Sequence, residues 1–195
     1  MDVDRISAAL ERSRDLGLIG TTVEDAIERS LLYVEPLASC ERLVDLGSGG
    51  GIPGLVVAAA LPACRVTLLD VSARRCDHLR RLVILVGLDD RVMVVEAEAQ
   101  AVGRRIEFRH RFDGVMARSF ASPAVVAECA APLLNSAGVL VVSSSPDDPA
   151  DRWPEAGVGA LGLRLRASVG GIDILDAIEQ CSVRFPRKRA DKPLF

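Results

Sequence analysis

The chain has 195 residues, 49% of them hydrophobic and 26% charged, with a formal net charge of −3. No apolar run approaches the ~20 residues of a membrane-spanning helix, and a slightly acidic balance leaves any nucleic-acid contact to a local patch. Five cysteines without C-x-x-C spacing support neither a metal site nor a disulfide framework and read as buried, reduced thiols of a cytosolic protein.

The length suits one domain, expected to act as a monomer. Its divisions are a helical extension over 1–40, a core over 41–145, and C-terminal strands with a basic tail over 146–195. The opening run MDVDRISAALERSRDLG is charged throughout and does not read as a signal peptide. Residues 4–16 predict an amphipathic helix with Ile6, Leu10 and Leu16 inward. Thr21-Thr22-Val23-Glu24 offers an N-cap for a second helix through Leu37. From Arg42 continuous apolar runs predict strands at 42–46, 65–70, 91–96, 112–117 and 138–143. Helices are predicted at 54–61, 73–86 and 122–134. Fully apolar strands alternating with helices imply an α/β, Rossmann-like doubly wound, mostly parallel sheet. After Ser145 the signal weakens, with a helix at 149–161 and strands at 163–169 and 179–184 as the expectation.

The stretch Val44-Asp45-Leu46-Gly47-Ser48-Gly49-Gly50-Gly51-Ile52-Pro53-Gly54 joins the first strand to the next helix. A turn with so few side chains lets a ligand lie against backbone N–H groups at a helix start. Gly49, Gly51 and Gly54 fit the dinucleotide pattern G-x-G-x-x-G, with Asp70 as the following acid. Asp45, Gly47, Gly49 and Gly51 fit the S-adenosylmethionine (SAM) pattern of an acid, one residue, then G-x-G-x-G. The second reading gives Asp45 a task beside the cationic amino-acid end of the cofactor. Pro53 also removes an N–H that a pyrophosphate cradle would use, and SAM carries no phosphate.

In such a sheet ligands sit beyond the carboxyl ends of the strands. Candidate cofactor contacts are therefore Asp45, Gly47, Gly49, Gly51, the apolar cap Ile52, then Asp70, Ala97, Glu98 and Arg118. Asp70 has two competing roles, ribose acceptor and helix N-cap, the latter shared with Ser72. Glu98 reads equally as an adenine contact or as a solvated acid. No (D/N)-P-P-(Y/F) motif follows the fourth strand, and no cysteine stands at a strand end. These absences exclude the usual chemistry at exocyclic amines and at pyrimidine carbons. An acceptor already nucleophilic, such as a ring nitrogen, needs only to be held in line with the methyl donor. Arg118 is the candidate for that catalytic positioning. His78 and His110 lie among arginines and read as parts of solvated basic faces, as does the cluster 104–111. Trp153 reads as a packing residue. The tail, with Arg187, Lys188, Arg189 and Lys192, reads as an electrostatic contact to RNA phosphates.

From Leu43 onward the chain resembles the RsmG (GidB) family of small-subunit ribosomal RNA methyltransferases. The matching stretches are VDLGSGGGIPG (44–54), VTLLD with R-R and H-L following (66–79), A-E at 97–98, FDGVMARSFAS (112–122), APLLNSAGVLVV (131–142) and FPRKRADKPL (185–194). The resemblance implies a seven-stranded sheet and SAM as cofactor, with S-adenosylhomocysteine as product. It further implies methylation of guanine nitrogen-7 in 16S rRNA, with the small ribosomal subunit as partner. It implies SAM contacts at Gly47, Gly49, Ile52, Ala97, Glu98 and Arg118. The chain departs from the family at Ser30, where a histidine is usual, and at Ser143-Ser144-Ser145, where a lysine followed by glycine is expected. Two rivals follow: a diverged methyltransferase for a small molecule or another RNA, and a non-catalytic SAM-binding protein. A nicotinamide oxidoreductase is the weaker third.

Overall fold

A computed structural model describes residues 1–187 and 193–195. Seven strands form one sheet: β1 (Arg42–Leu46), β2 (Arg65–Asp70), β3 (Val92–Glu96), β4 (Phe112–Ala117), β5 (Leu134–Ser143), β6 (Leu163–Val169) and β7 (Ile172–Ala177). Their order is β3-β2-β1-β4-β5-β7-β6. The first five are parallel, and β7 runs antiparallel to both β5 and β6. The seven-stranded, mostly parallel expectation therefore holds. The chain leaves β1 toward β2 and β3 on one side and returns to β4 on the other. The β1–β4 seam is thus the topological switch point, where open α/β sheets bind ligands.

Both faces are covered because adjacent strand residues point opposite ways. Leu43, Val66, Leu68 and Val141 face helices α1 (Val3–Asp15), α2 (Val23–Leu31), α3 (Gly54–Ala60) and α4 (Ala73–Leu85). Val44, Leu46, Leu140 and Leu175 face α5 (Ala99–Val102), α6 (Pro123–Ala130), α7 (Glu155–Gly159) and the segment holding Cys181 and Phe185.

Prolines set several element ends. The second helix stops at Leu31 rather than Leu37, because Pro36 disfavours a helical Glu35 and cannot donate to the ladder. Tight turns carry the buried Tyr33 and Leu37 instead. Pro132 likewise ends α6 at Ala130, short of the predicted 134. The last strand is a clear correction: it lies at 172–177, and 179–184 is irregular. All five cysteines are free and buried. Among the described residues no helix is long and apolar enough to cross a membrane, and no cluster of three His, Cys, Asp or Glu could hold a metal.

Candidate active site

The glycine turn after β1 is held by backbone N–H groups that donate to β2, to Asp45 and within the turn itself. Gly47 and Ser48 N–H donate to the Leu69 carbonyl at 2.8 and 3.0 Å, and Gly51 N–H donates to Ser48 at 2.7 Å. Gly49 N–H donates to Asp70 Oδ2 at 2.9 Å, and Gly54 N–H to Asp45 Oδ2 at 3.1 Å. The expectation of N–H groups turned toward a ligand is corrected at these positions, since each already has an internal acceptor. What the turn offers is close approach.

Side chains added in turn at each glycine separate their tasks. A β-carbon at Gly47 would lie 2.7 Å from Phe120 Cδ2, and one at Gly50 would lie 2.9 Å from Ile19 Cγ1. At Gly51 it would strike Leu55, and at Gly54 Leu68 and Asp45. These glycines are required by packing. Gly49 alone in the turn faces open space, its nearest neighbour being the Gly47 carbonyl at 3.6 Å, and its φ of +52° is a conformation that suits glycine. Gly51, expected as a cofactor contact, has its absent side chain accounted for by Leu55.

Asp45 is fully buried at the end of β1, and among the described residues its Oδ1 has no hydrogen-bond partner. Burial pushes its carboxyl up to about 7, against the lowering effect of Ser48 and the Gly54 N–H. Asp70 accepts from Ser72 N–H at 2.9 Å through Oδ1, besides its bond to Gly49. The N-cap of α4 is Ser72, whose hydroxyl accepts from Arg75 N–H, so Asp70 braces the turn instead. Ala97 N–H donates to the Asp70 carbonyl at 3.0 Å, which places 97–98 beside Asp70. Glu98 is exposed, and Ile52 is half-buried at the start of α3.

A cavity of about 1220 Å³ adjoins the carboxyl ends of β4 and β5, lined by Tyr33, Arg118, Phe120 and Ser143 among others. The turn residues 45–52, Asp70, Ala97 and Glu98 are not part of its wall. Phe120 contributes to the cavity on one side and packs on Gly47 on the other. Phe120 thus stands between the cavity and the glycine turn, where Gly49 has room for a β-carbon. Arg118 stands at the end of β4 as expected. Its Nη1 donates to the Ala26 carbonyl at 3.3 Å, and burial lowers its pKa, though a guanidinium so placed stays charged at neutral pH.

Tyr33, the only tyrosine of the chain, is buried where β1, β4 and β5 end, and its hydroxyl donates to the Ala117 carbonyl at 3.0 Å. Burial raises its pKa, so it stays neutral. Sequence reasoning missed this residue; a single tyrosine carries no spacing signal.

The family described as GidB, rRNA small subunit methyltransferase G, matches residues 14–147. The chain belongs to this family. A Ribosomal RNA small subunit methyltransferase G of Prochlorococcus marinus (strain NATL2A) is 42% identical over 101 residues, 52% of this chain and 41% of that protein. The same-named protein of Rubrobacter xylanophilus is 38% identical over 138 residues, 70% of this chain and 52% of that protein. The chain therefore spans about half the length of the curated relatives it matches. Solved structures share the fold. Cofactor-bound Rv0187 from MTB superposes with a TM-score of 0.65 at 22% identity, covering 90% of each chain. An O-methyltransferase from Bacillus cereus in complex with SAH gives 0.62 at 17% identity, covering 89% of this chain and 90% of that one.

The stretch shared with the family holds the whole turn, Asp70, Ala97, Glu98 and Arg118, gathered along the carboxyl edge of β1 to β4. Among the described basic residues outside that arrangement, Arg104, Arg109 and Arg187 make contacts within the fold. Arg187 docks on the fully buried Glu128: its backbone N–H lies 2.7 Å and its Nη2 2.6 Å from the carboxylate. Its guanidinium thereby fastens the start of the tail to α6. Lys188, Arg189 and Lys192 lie outside the described residues. In the cluster 104–111, Arg109 grips the carbonyls of Gly103, Cys181, Ser182 and Phe185, and Arg104 bonds the Pro186 carbonyl. Arg104 and Arg109 thus clasp the C-terminal segment, while Arg105 and Arg111 are exposed, as the solvated face expected there would be. Both histidines are also corrected. His78 Nε2 lies 2.8 Å from the Ser13 hydroxyl, and His110 occupies a turn at φ 56° with Nδ1 3.0 Å from the Leu134 carbonyl. Trp153 is buried, its Nε1 donating to Asp173 at 2.6 Å, as a packing residue would be.

Proposed function

We propose that this chain is a SAM-dependent methyltransferase acting on nitrogen-7 of a guanine in 16S rRNA, in the cytoplasm. The observation that carries the reading is the one glycine of the turn whose missing side chain leaves open space, standing at the topological switch point of a family member's sheet. The residues present fit SAM. Gly49 gives room for close approach, and the unpartnered Asp45 Oδ1 supplies a carboxylate for a cationic group. Asp70 has acceptor capacity left for hydroxyls beyond its two backbone donors and the Arg75 guanidinium 3.7 Å from its Oδ2, and Ala97 and Glu98 stand next to it for the base. The structure of the Bacillus cereus protein with SAH supports the same choice of cofactor by likeness of fold.

SAM supplies an electrophilic methyl group on a sulfonium. The protein supplies position. Guanine nitrogen-7 carries a free lone pair, so no general base is required, and among the described residues none stands in the cavity wall as a histidine or lysine. Phe120 and Arg118 form the boundary across which donor and acceptor meet, one by its ring and the other by a fixed positive charge. Tyr33 holds the end of β4 through the Ala117 carbonyl, the residue before Arg118.

A second reading, an acceptor other than 16S rRNA, draws on the cavity rim. Asp25, Glu28, Asp148 and Asp151 stand there beside Arg29, Arg118 and Arg152, and Asp148 and Asp25 pair with two of those arginines. A rim so balanced attracts an extended phosphate backbone weakly. Incubating the protein and labelled SAM with small subunits from cells lacking the guanine mark distinguishes the readings. Label at one guanine nitrogen-7 is expected. Label on small molecules or on other RNA supports the second reading, and SAM binding without transfer to any acceptor contradicts the enzymatic proposal.

A further inference from the structure

The glycine turn is pinned from outside as well as inside. The Ser13 hydroxyl of α1 donates to the Gly50 carbonyl at 2.7 Å, in a buried contact 37 residues away in sequence. The same oxygen lies 2.8 Å from His78 Nε2 on α4. A hydroxyl has one hydrogen, and Ser13 spends it on Gly50. It therefore accepts from His78, whose Nε2 carries the proton. The chain of donors runs His78 to Ser13 to Gly50, linking α4, α1 and the turn.

Around it the fit is tight. A β-carbon at Gly50 would meet Ile19 Cγ1 at 2.9 Å and the Leu18 carbonyl at 3.1 Å. The segment after α1 thus backs the turn directly. On the other side Asp70 holds the Gly49 N–H. The peptide between Ser48 and Gly49 is fixed by Asp70, and the peptide between Gly50 and Gly51 is fixed by Ser13. Between these two points lies the Gly49–Gly50 peptide, beside the open space. Glycines have the widest backbone freedom of any residue, so a turn of them holds one shape only through such outside contacts.

We infer that Ser13 and His78 are positioning residues, which act through the Gly50 carbonyl to hold the Gly49 cradle in the form that receives the cofactor. The inference rests on the SAM reading above for its ligand, but not for its effect on the turn. Burial and the neighbouring Arg81 and Arg12 lower the pKa of His78, which keeps the ring neutral with its single N–H on Nε2. The isolated loss of one such bond corresponds to about fivefold in an equilibrium.

Two measurements on the full chain test this. In calorimetric titration with SAM, Ser13→Ala and His78→Leu should each weaken binding by about fivefold. The double variant should be no weaker than the weaker single, because both remove one relay. His78→Gln, which places an amide N–H near the Nε2 position, should restore affinity, whereas a merely space-filling role would be served as well by leucine. Affinity for the RNA acceptor should stay at the wild-type value. Wild-type SAM affinity in folded Ser13→Ala and His78→Leu would overturn the inference. The second measurement needs no ligand: amide exchange at Gly49 and Gly51 should quicken by about fivefold in the same two variants and return with His78→Gln. If wild-type protein binds no SAM, the cofactor reading fails while this exchange still decides the relay. Unchanged exchange at both glycines would overturn it.

Discussion

At the scale of single residues the site is a set of glycines with different obligations and one carboxylate under stress. Gly47, Gly50, Gly51 and Gly54 make room for the protein's own atoms, whereas a β-carbon at Gly49 would meet only the Gly47 carbonyl, at 3.6 Å. Asp45 is buried with one oxygen unpartnered and its pKa pushed up to about 7. The consequence for stability has a definite sign. A carboxyl whose folded pKa lies above its unfolded value binds more protons in the folded state between the two. Stability therefore falls as pH rises from the ordinary carboxylate range to about 7 and is level above it. Replacing Asp45 by Asn should remove that slope, worth on the order of 3 kcal/mol, as measured by urea unfolding at pH 5 and pH 8. Binding a cationic ligand at Asp45 favours the ionised form. SAM affinity should thus fall by up to about tenfold per pH unit below pH 7 in the wild type and stay flat in Asp45→Asn. A wild-type affinity that ignores pH in this range would separate Asp45 from the cofactor.

At the scale of elements the instructive case is the C-terminal segment. Its basic residues suggest phosphate contact, yet Arg187 docks on Glu128 and Arg104 and Arg109 hold the carbonyls before it. Burial raises the pKa of Glu128, but the hydrogen bonds and charge of Arg187 outweigh it, and the net shift is downward. The contribution of the pair is therefore complete above the ordinary carboxylate range and is lost as pH falls through the folded pKa. Glu128→Ala should cost about 2 kcal/mol and expose the segment after Cys181 to proteolysis at neutral pH. The wild type should show the same cleavage only in acid. Equal resistance of both at pH 7 would contradict the clasp.

This example also marks where sequence reading reaches its limit. The strands β2 and β3 were legible because each is a run of apolar and β-branched residues between turn residues, and β1, interrupted by Asp45, because the glycine turn follows it at once. The glycine turn was legible because its spacing survives without any partner. The strand β7, Ile172–Ala177, was not, because Asp173 and Asp176 break the apolar run. Trp153 and Arg152 satisfy the buried Asp173 from elsewhere in the chain, and no local pattern announces them. The roles of Ser13, Tyr33, His78 and Phe120 failed to stand out for the same reason. Their partners lie dozens of residues away, so their roles exist only in the fold.

At the scale of the whole molecule, one sheet places the glycine turn and a cavity on either side of Phe120 at the β1–β4 seam. The chain belongs to the rRNA small subunit methyltransferase G family, shares its fold with solved structures such as Rv0187, and spans about half the length of its curated relatives. The account rests on the cradle at Gly49 receiving SAM. Calorimetric titration of SAM into wild type and Gly49→Val tests this most directly, with Gly87→Val, also at a positive φ, as a control for backbone strain. The expected result is saturable binding to the wild type and to the control. In folded Gly49→Val the affinity should fall by about a hundredfold. A folded Gly49→Val protein that binds SAM as tightly as the wild type, or a wild type that binds none, would contradict the account.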